Sequence, residues 1–292
     1  MRVDAHHHVW DLTRRPQSWL DAPELAAVRR GFGAADLAPR ARAAGIDRTV
    51  LVQVLPDATE TEEFLALAAA EPLIAGVVGW ADLTAPGIAD TLAELRRGPG
   101  GERLVGIRHL VQGEPDPAWL ARADVRRALR AVGDAGLCYD LLVRPHQLSA
   151  AIDAVRSLPE QPFVLDHLAK PPIARGELEP WAGRVRELAR EPNVFCKLSG
   201  MVTETGPDGW TVAGLRPYAE TALDAFGPER MMFGSDWPVC LVAASYEHVV
   251  SAAEELTEHL DPHERAQVFG DTATRVYRLD EATSSGARKE PV

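Results

Sequence analysis

The chain has 292 residues, 46% of them hydrophobic, and carries 43 acids against 31 bases for a formal net charge of −12. That size and apolar content suit one large α/β domain or two small ones, and the acidic balance argues against nucleic acid or an anionic membrane as a partner. Cys138, Cys196 and Cys240 lie far apart with no C-x-x-C, as expected of a reduced, cytoplasmic chain without a disulfide framework. No leader-like segment precedes the first apolar run, and no run reaches the roughly 18 residues that a membrane span needs.

Taken in order, Val3 to Val9 reads as a strand holding three consecutive histidines. Period-2 alternation puts His6 and His8 on one face and His7 on the other. A long connection over 11–33 follows, with Trp10, Trp19 and Leu20 as candidates to cap a pocket. Ala34 to Ala44 is a predicted helix, and Thr49 to Leu55 a strand buried on both faces. Thr59 to Ala70 is helical, Leu73 to Trp80 a strand, Gly87 to Arg97 a helix and Leu104 to His109 a strand. Ala118 to Ala135 is helical, Leu137 to Val143 a strand, and Gln147 to Leu158 a helix. Phe163 to Leu168 is a strand, Pro180 to Arg190 a helix, and the run N-V-F-C-K-L-S at 193–199 a strand. Leu215 to Phe226 is helical, Met231 to Asp236 a strand, and Tyr246 to Leu260 a helix. A ninth helix runs from Pro262 to Tyr277.

Eight short apolar strands alternating with eight helices imply parallel βα units, and eight units in this length point to an α/β fold of the closed (β/α)8 TIM-barrel kind. The competing open doubly wound sheet normally carries a Gly-rich turn after its first strand when it binds a dinucleotide. Here histidines occupy that place. A single domain over 1–279 and a polar, flexible tail over 280–292 are expected.

A barrel places its chemistry at the C-terminal strand ends. The polar residues fall there: His6 and His8, Gln53, Arg108 and His109, Asp140, Asp166 and His167, Lys197 and Ser199, Ser235 and Asp236. Unpaired charge is costly to bury, so this many at one end suggests a site. His6, His8, His167 and Asp236 make an N3O donor set acceptable to zinc or manganese. Asp236 is alternatively a general base for an attacking water. Arg108 and Lys197 suit a substrate carboxylate or a developing oxyanion. No serine or cysteine sits in a nucleophile context.

D-A-H-H-H-V-W-D at 4–11, D-H-L-A-K-P at 166–171, K-L-S-G at 197–200 and F-G-S-D-W-P at 233–238 resemble, in this order, the amidohydrolase superfamily. Within it they resemble a lactonase-type branch of metal-dependent barrel hydrolases, and the resemblance runs from Arg2 to Leu279. It implies that His6, His8 and His167 are metal-site histidines, that Asp236 activates water, and that Arg108 and His109 face the substrate. Binuclear members carry a bridging carboxylated lysine or a glutamate on an earlier strand. Strand five here offers Asp140, and Lys197 sits on strand seven, so the resemblance implies one divalent ion, zinc or manganese. Some members dispense with it, in which case the histidines hold the carbonyl directly. The implied reaction opens a sugar-acid lactone, an aldonolactone such as L-fucono- or L-rhamnonolactone; Arg108 and Lys197 are then expected to fix the oxygen-rich ring or a carboxylate, and Trp10, Trp80 and Trp237 to pack against its apolar face. Two alternatives stand beside it: a metal-dependent decarboxylase of an unsaturated or aromatic acid, and a hydrolase of carboxylated lactones of the pyrone or muconolactone type. The expected partner is a small molecule, and a homo-oligomer is compatible with the sequence.

Overall fold

A computed structural model describes residues 1–206 and 209–280. All but the first residue of the tail expected at 280–292 lies outside the described residues. Eight strands form one parallel sheet in chain order: β1 (Val3–His7), β2 (Arg48–Val52), β3 (Ile74–Gly79), β4 (Leu104–His109), β5 (Cys138–Leu141), β6 (Phe163–Leu165), β7 (Val194–Leu198) and β8 (Met231–Phe233). The two edges meet where Asp236 N–H donates to the His6 carbonyl (2.8 Å) and His8 N–H to the Trp237 carbonyl (2.6 Å). The expected (β/α)8 barrel is therefore the fold.

The outer layer consists of α1 (Ala34–Ala43), α2 (Ala58–Ala70), α3 (Ile88–Arg97), α4 (Ala123–Asp134), α5 (Leu148–Arg156), α6 (Trp181–Leu188), α7 (Val212–Phe226) and α8 (Tyr246–Leu256). Their periodicity explains their placement. On α4, Val125, Ala128, Leu129 and Val132 fall at i, i+3, i+4 and i+7 and are fully buried, each large side chain contributing roughly 1.5–3 kcal/mol before conformational entropy is subtracted. Side chains also fix the starts. Asp57 accepts from Thr59 N–H (2.9 Å) at α2, and Ser245 from His248 N–H (3.1 Å) at α8, satisfying donors that a helix leaves open.

Two predicted helices break. The one expected over 118–135 divides at Arg122 into a 3-10 turn, Trp119–Ala121, and α4. The ninth becomes α9 (Pro262–Ala266), a π-type turn (Gln267–Asp271) and α10 (Thr272–Val276). That turn contains Gly270, where an added Cβ would stand only 1.9 Å from the carbonyl oxygen of Met1. The chain start thus packs onto a spot that only glycine leaves free.

The barrel interior is a small apolar cluster of its own, with Val3, Ala5, Val50, Val52, Val78, Val105, Val164 and Met232 among its members. Ala273, Val276, Tyr277 and Leu279 enter it from α10 and the residues that follow, closing the floor. Among the described residues no helix is long and apolar enough to cross a membrane. Leu279 is 2% exposed in this plug, so Leu279→Ala should lower stability by about 2–5 kcal/mol. Thermal unfolding checks this, and an unchanged melting temperature would show that the plug does not hold the floor.

Candidate active site

The first motif departs from simple alternation. Pairing between β1 and β2 slips between Asp4 and His7. Val3 and Ala5 belong to the interior cluster, and beyond the slip His6 and His8 take the barrel side. Such irregularities re-aim side chains. His6 Nε2 lies 3.2 Å from His8 Nε2, although His8 falls just past the end of β1. His7 is fully buried away from them, with both ring nitrogens lacking a hydrogen-bond partner.

Asp4 holds this segment against the eighth strand. Its carboxylate accepts from Ser235 N–H (2.8 Å), His6 N–H (3.2 Å) and the Tyr246 hydroxyl (3.2 Å). Burial raises its pKa to about 6 despite those donors.

The other two groups arrive on strained backbone. The strand predicted to reach Leu168 stops at Leu165. His167, Leu168, Ala169 and Lys170 then all adopt left-handed φ values of 51° to 59°, a conformation costing roughly 1–2 kcal/mol per non-glycine residue. Packing holds the turn. Leu168 and Ala169 are fully buried, and the buried Trp181 indole donates to the Leu168 carbonyl (2.7 Å). Likewise β8 stops at Phe233, short of the predicted Asp236, and Asp236 sits at φ 57°. Gly200, at φ 64°, backs His167 so closely that an added Cβ would come within 2.5 Å of Nδ1.

Four groups converge. Asp236 Oδ1 lies 3.8 Å from His6 Nε2, 3.5 Å from His8 Nε2 and 3.9 Å from His167 Nε2. Ligand atoms of His6, His167 and Asp236 all fall within 4.8 Å of one another. His8 Nδ1 hydrogen-bonds to the Val52 carbonyl (2.8 Å), so that nitrogen carries the proton and Nε2 presents a lone pair. His167 Nδ1 is held by Ser199 Oγ (2.8 Å). Burial keeps His6 neutral, its pKa well below the usual histidine value, and pushes His167 down to about 4. Asp236 is held well below the ordinary carboxylate range, the histidine contacts outweighing the burial that would raise it. Imidazole nitrogens and a carboxylate thus face one point, with Arg108 NH1 at its edge, 3.3 Å from His6 Nε2. A tetrahedral ion with bonds of about 2.0–2.1 Å sets its ligands about 3.4 Å apart. The group of His6, His167 and Asp236 is close enough to hold a divalent ion, with His8 Nε2 beside it, 3.5 Å from Asp236.

Three of these groups, His8, His167 and Asp236, line a cavity of about 380 Å³ together with Arg108, Lys170 and Gln112, with Trp10, Trp19, Leu110 and Leu142 as its apolar walls. Trp10 and Trp19 cap it as the sequence suggested. A larger hollow of about 470 Å³ lies across Trp10 and contains none of the four converging residues.

Four predicted substrate contacts sit elsewhere. Lys197 is fully buried on the barrel axis beneath His6, 2.5 Å from Asp140 Oδ2 and 2.9 Å from Asp166 Oδ1. Two carboxylates hold it below the cavity. His109 points away from Arg108, stacks on Trp119 at 4.3 Å and bonds Glu114 (2.7 Å). Trp80 donates its indole N–H to His109 Nδ1 (3.0 Å). Trp237 is 1% exposed and packs edge-on to Phe32. Arg108 does line the cavity, with NH1 on Asp166 (3.0 Å) and 3.3 Å from His6 Nε2. Lys170, paired with Glu204 at 2.6 Å, and Gln112 were missed. The K-P of the second motif was the available signal for Lys170.

A closed parallel barrel with histidines and a carboxylate gathered at the C-terminal mouth is the architecture of a barrel enzyme. The chain belongs to the amidohydrolase family, whose model matches residues 3–279. It is 38% identical over 283 residues to an L-fucono-1,5-lactonase from Burkholderia ambifaria, covering 96% of each chain. A second L-fucono-1,5-lactonase, from Burkholderia multivorans, is also 38% identical, over 96% of this chain and 97% of that one. The crystal structure of an amidohydrolase from Burkholderia multivorans with bound zinc superposes with a TM-score of 0.90 at 39% identity, covering 96% of this chain and 99% of that one.

The buried imidazoles make stability depend on pH. Burial drives His7 down to about 3 and His167 to about 4, whereas unfolded histidine takes its proton near 6.5. Between those values the unfolded chain binds more protons, so stability is full above 6.5 and is lost as pH falls toward 4. Asp4 and Asp140, raised by burial to about 6, and Glu60, also raised by burial, act in the opposite sense below pH 6, and the deeper shifts of the His6, His7 and His167 imidazoles outweigh them. The melting temperature of chelator-treated protein should therefore fall steadily from pH 6.5 to 4. A flat profile would contradict neutral burial of these rings.

Proposed function

We propose that this protein hydrolyses a sugar-acid lactone of the aldonolactone type, L-fucono-1,5-lactone in the first instance, with one zinc or manganese ion at His6, His8, His167 and Asp236. The observation that carries the reading is the convergence of three imidazoles on Asp236 at the mouth of a mixed polar and apolar cavity. The names of the relatives at 38% identity direct it to lactones.

When bound, the ion supplies Lewis acidity to the carbonyl and to the attacking water. The chain does the rest. Asp236, held ionised, accepts the water proton. Arg108 is fixed by Asp166 and by the Gln53 carbonyl, so its edge of the cavity is a rigid positive wall for the developing oxyanion. Lys170 and Gln112 present donors to the ring hydroxyls. Trp10 and Trp19 offer flat apolar surface to the carbon face of the ring. Trp80, His109, Trp237 and Lys197 support these groups from behind.

Asp236→Asn keeps the side chain's shape but removes the base and the ligand charge. It should slow acid release from L-fucono-1,5-lactone by at least about 100-fold with the protein folded. Indicator-monitored hydrolysis of an aldonolactone panel, with zinc or manganese supplied, tests this. Silence of the wild type across the panel would overturn the aldonolactone reading and move it to carboxylated lactones or to decarboxylation.

A further inference from the structure

We propose that Tyr277, in the segment that plugs the barrel floor, is a positioning residue for His6, acting through Asp140 and Lys197. The path is continuous. The Tyr277 hydroxyl lies 3.0 and 2.9 Å from the two oxygens of Asp140. Asp140 Oδ2 is 2.5 Å from Lys197 Nζ, and Nζ is 2.9 Å from Asp166 Oδ1 and 3.2 Å from His6 Nδ1. Asp140, Asp166, Lys197 and His6 are fully buried and Tyr277 is 1% exposed.

His6 Nδ1 has two neighbours of opposite character. Lys197 is a donor, and Asp166 Oδ1, 3.4 Å away, is an acceptor. The neutral ring has one proton. If Nδ1 accepts from Lys197, the proton sits on Nε2 and blocks the lone pair that faces His8 and Asp236. If Nδ1 donates to Asp166, Nε2 keeps its lone pair, with the Arg108 guanidinium 3.3 Å away as a donor that favours this form. The outcome depends on where the ammonium is held. Tyr277 fixes the Asp140 carboxylate from below, and Asp140 and Asp166, at 2.5 and 2.9 Å, compete with His6 Nδ1, at 3.2 Å, for the ammonium. Without the phenol hydroxyl, Asp140 keeps Lys197 as its one remaining donor among the described residues and is free to turn, so the ammonium can move up to His6. Supporting groups of this kind set tautomer and orientation at ligand histidines.

The test uses the full chain. Tyr277→Phe retains the ring that fills the floor and removes only the hydroxyl. Long-range ¹⁵N–¹H spectra of metal-free protein report which nitrogen of His6 carries the proton, with His6→Asn assigning the signal. Tyr277→Phe should shift His6 toward the Nε2-protonated form and weaken zinc binding, measured by chelator competition, by about tenfold. Leu279→Ala, which loosens the same plug without touching Asp140, should lower the melting temperature and leave the His6 signals alone. Unchanged His6 signals in Tyr277→Phe, or an equal shift in Leu279→Ala, would overturn the proposal. The zinc arm rests on the metal reading above. The nitrogen signals need neither metal nor substrate, so a wild type that binds no zinc would overturn that reading while the ring spectra still decide this one.

Discussion

The ammonium of Lys197 between the carboxylates of Asp140 and Asp166 is the interaction on which the site rests. An ion taken out of water costs several kcal/mol unless it is paired and hydrogen-bonded. In this barrel the two carboxylates and the ammonium compensate one another, and Lys197 keeps its charge, since the carboxylates outweigh the burial opposing it. Arg108 adds a second positive group on Asp166. Against these two cations stand Asp140, Asp166 and Asp236. With the histidines neutral, Asp236 is left without a matching positive charge. A cation at the mouth completes the set, which is why the electrostatics of the axis and the geometry of the mouth point to the same ligand.

The rest of the fold serves to hold strained groups in place. Four consecutive left-handed residues after β6 and a fifth at Asp236 are expensive. They are tolerated because their side chains and carbonyls are fixed by Trp181, Gly200, Ser199 and the β1–β8 junction. The motifs are therefore more than ligands in a row. D-H-L-A-K is a turn that projects His167 and Lys170 into one cavity, and K-L-S-G provides the ammonium below, the hydroxyl that bonds His167, and the glycine that leaves room for its ring.

Much of this was legible in the chain. Alternating apolar runs and helical periods determined the barrel, and polar residues at strand ends marked its active face. Parity also explains why some expected substrate contacts do not line the cavity. His109 follows Arg108 on one strand and must face the opposite way, toward Trp80 and Trp119. Lys197 has the right parity but lies two residues before Ser199, one layer deeper, and depth along a strand is not written in alternation. The left-handed turn was hidden because none of His167, Leu168, Ala169 or Lys170 is a glycine. The slip in β1 was hidden because a bulge leaves no compositional mark among buried residues.

The proposed chemistry needs few groups: the Asp236 carboxylate as base, a guanidinium wall fixed by a buried carboxylate, and an apolar face under two tryptophans. All of it presumes that the four converging groups share one ion. Crystals grown with zinc, measured above and below the zinc absorption edge, test that directly. The account predicts a single anomalous peak within bonding distance of His6, His167 and Asp236, with His8 Nε2 beside it. A peak elsewhere, two peaks at the mouth, or none at full zinc occupancy in solution would contradict it.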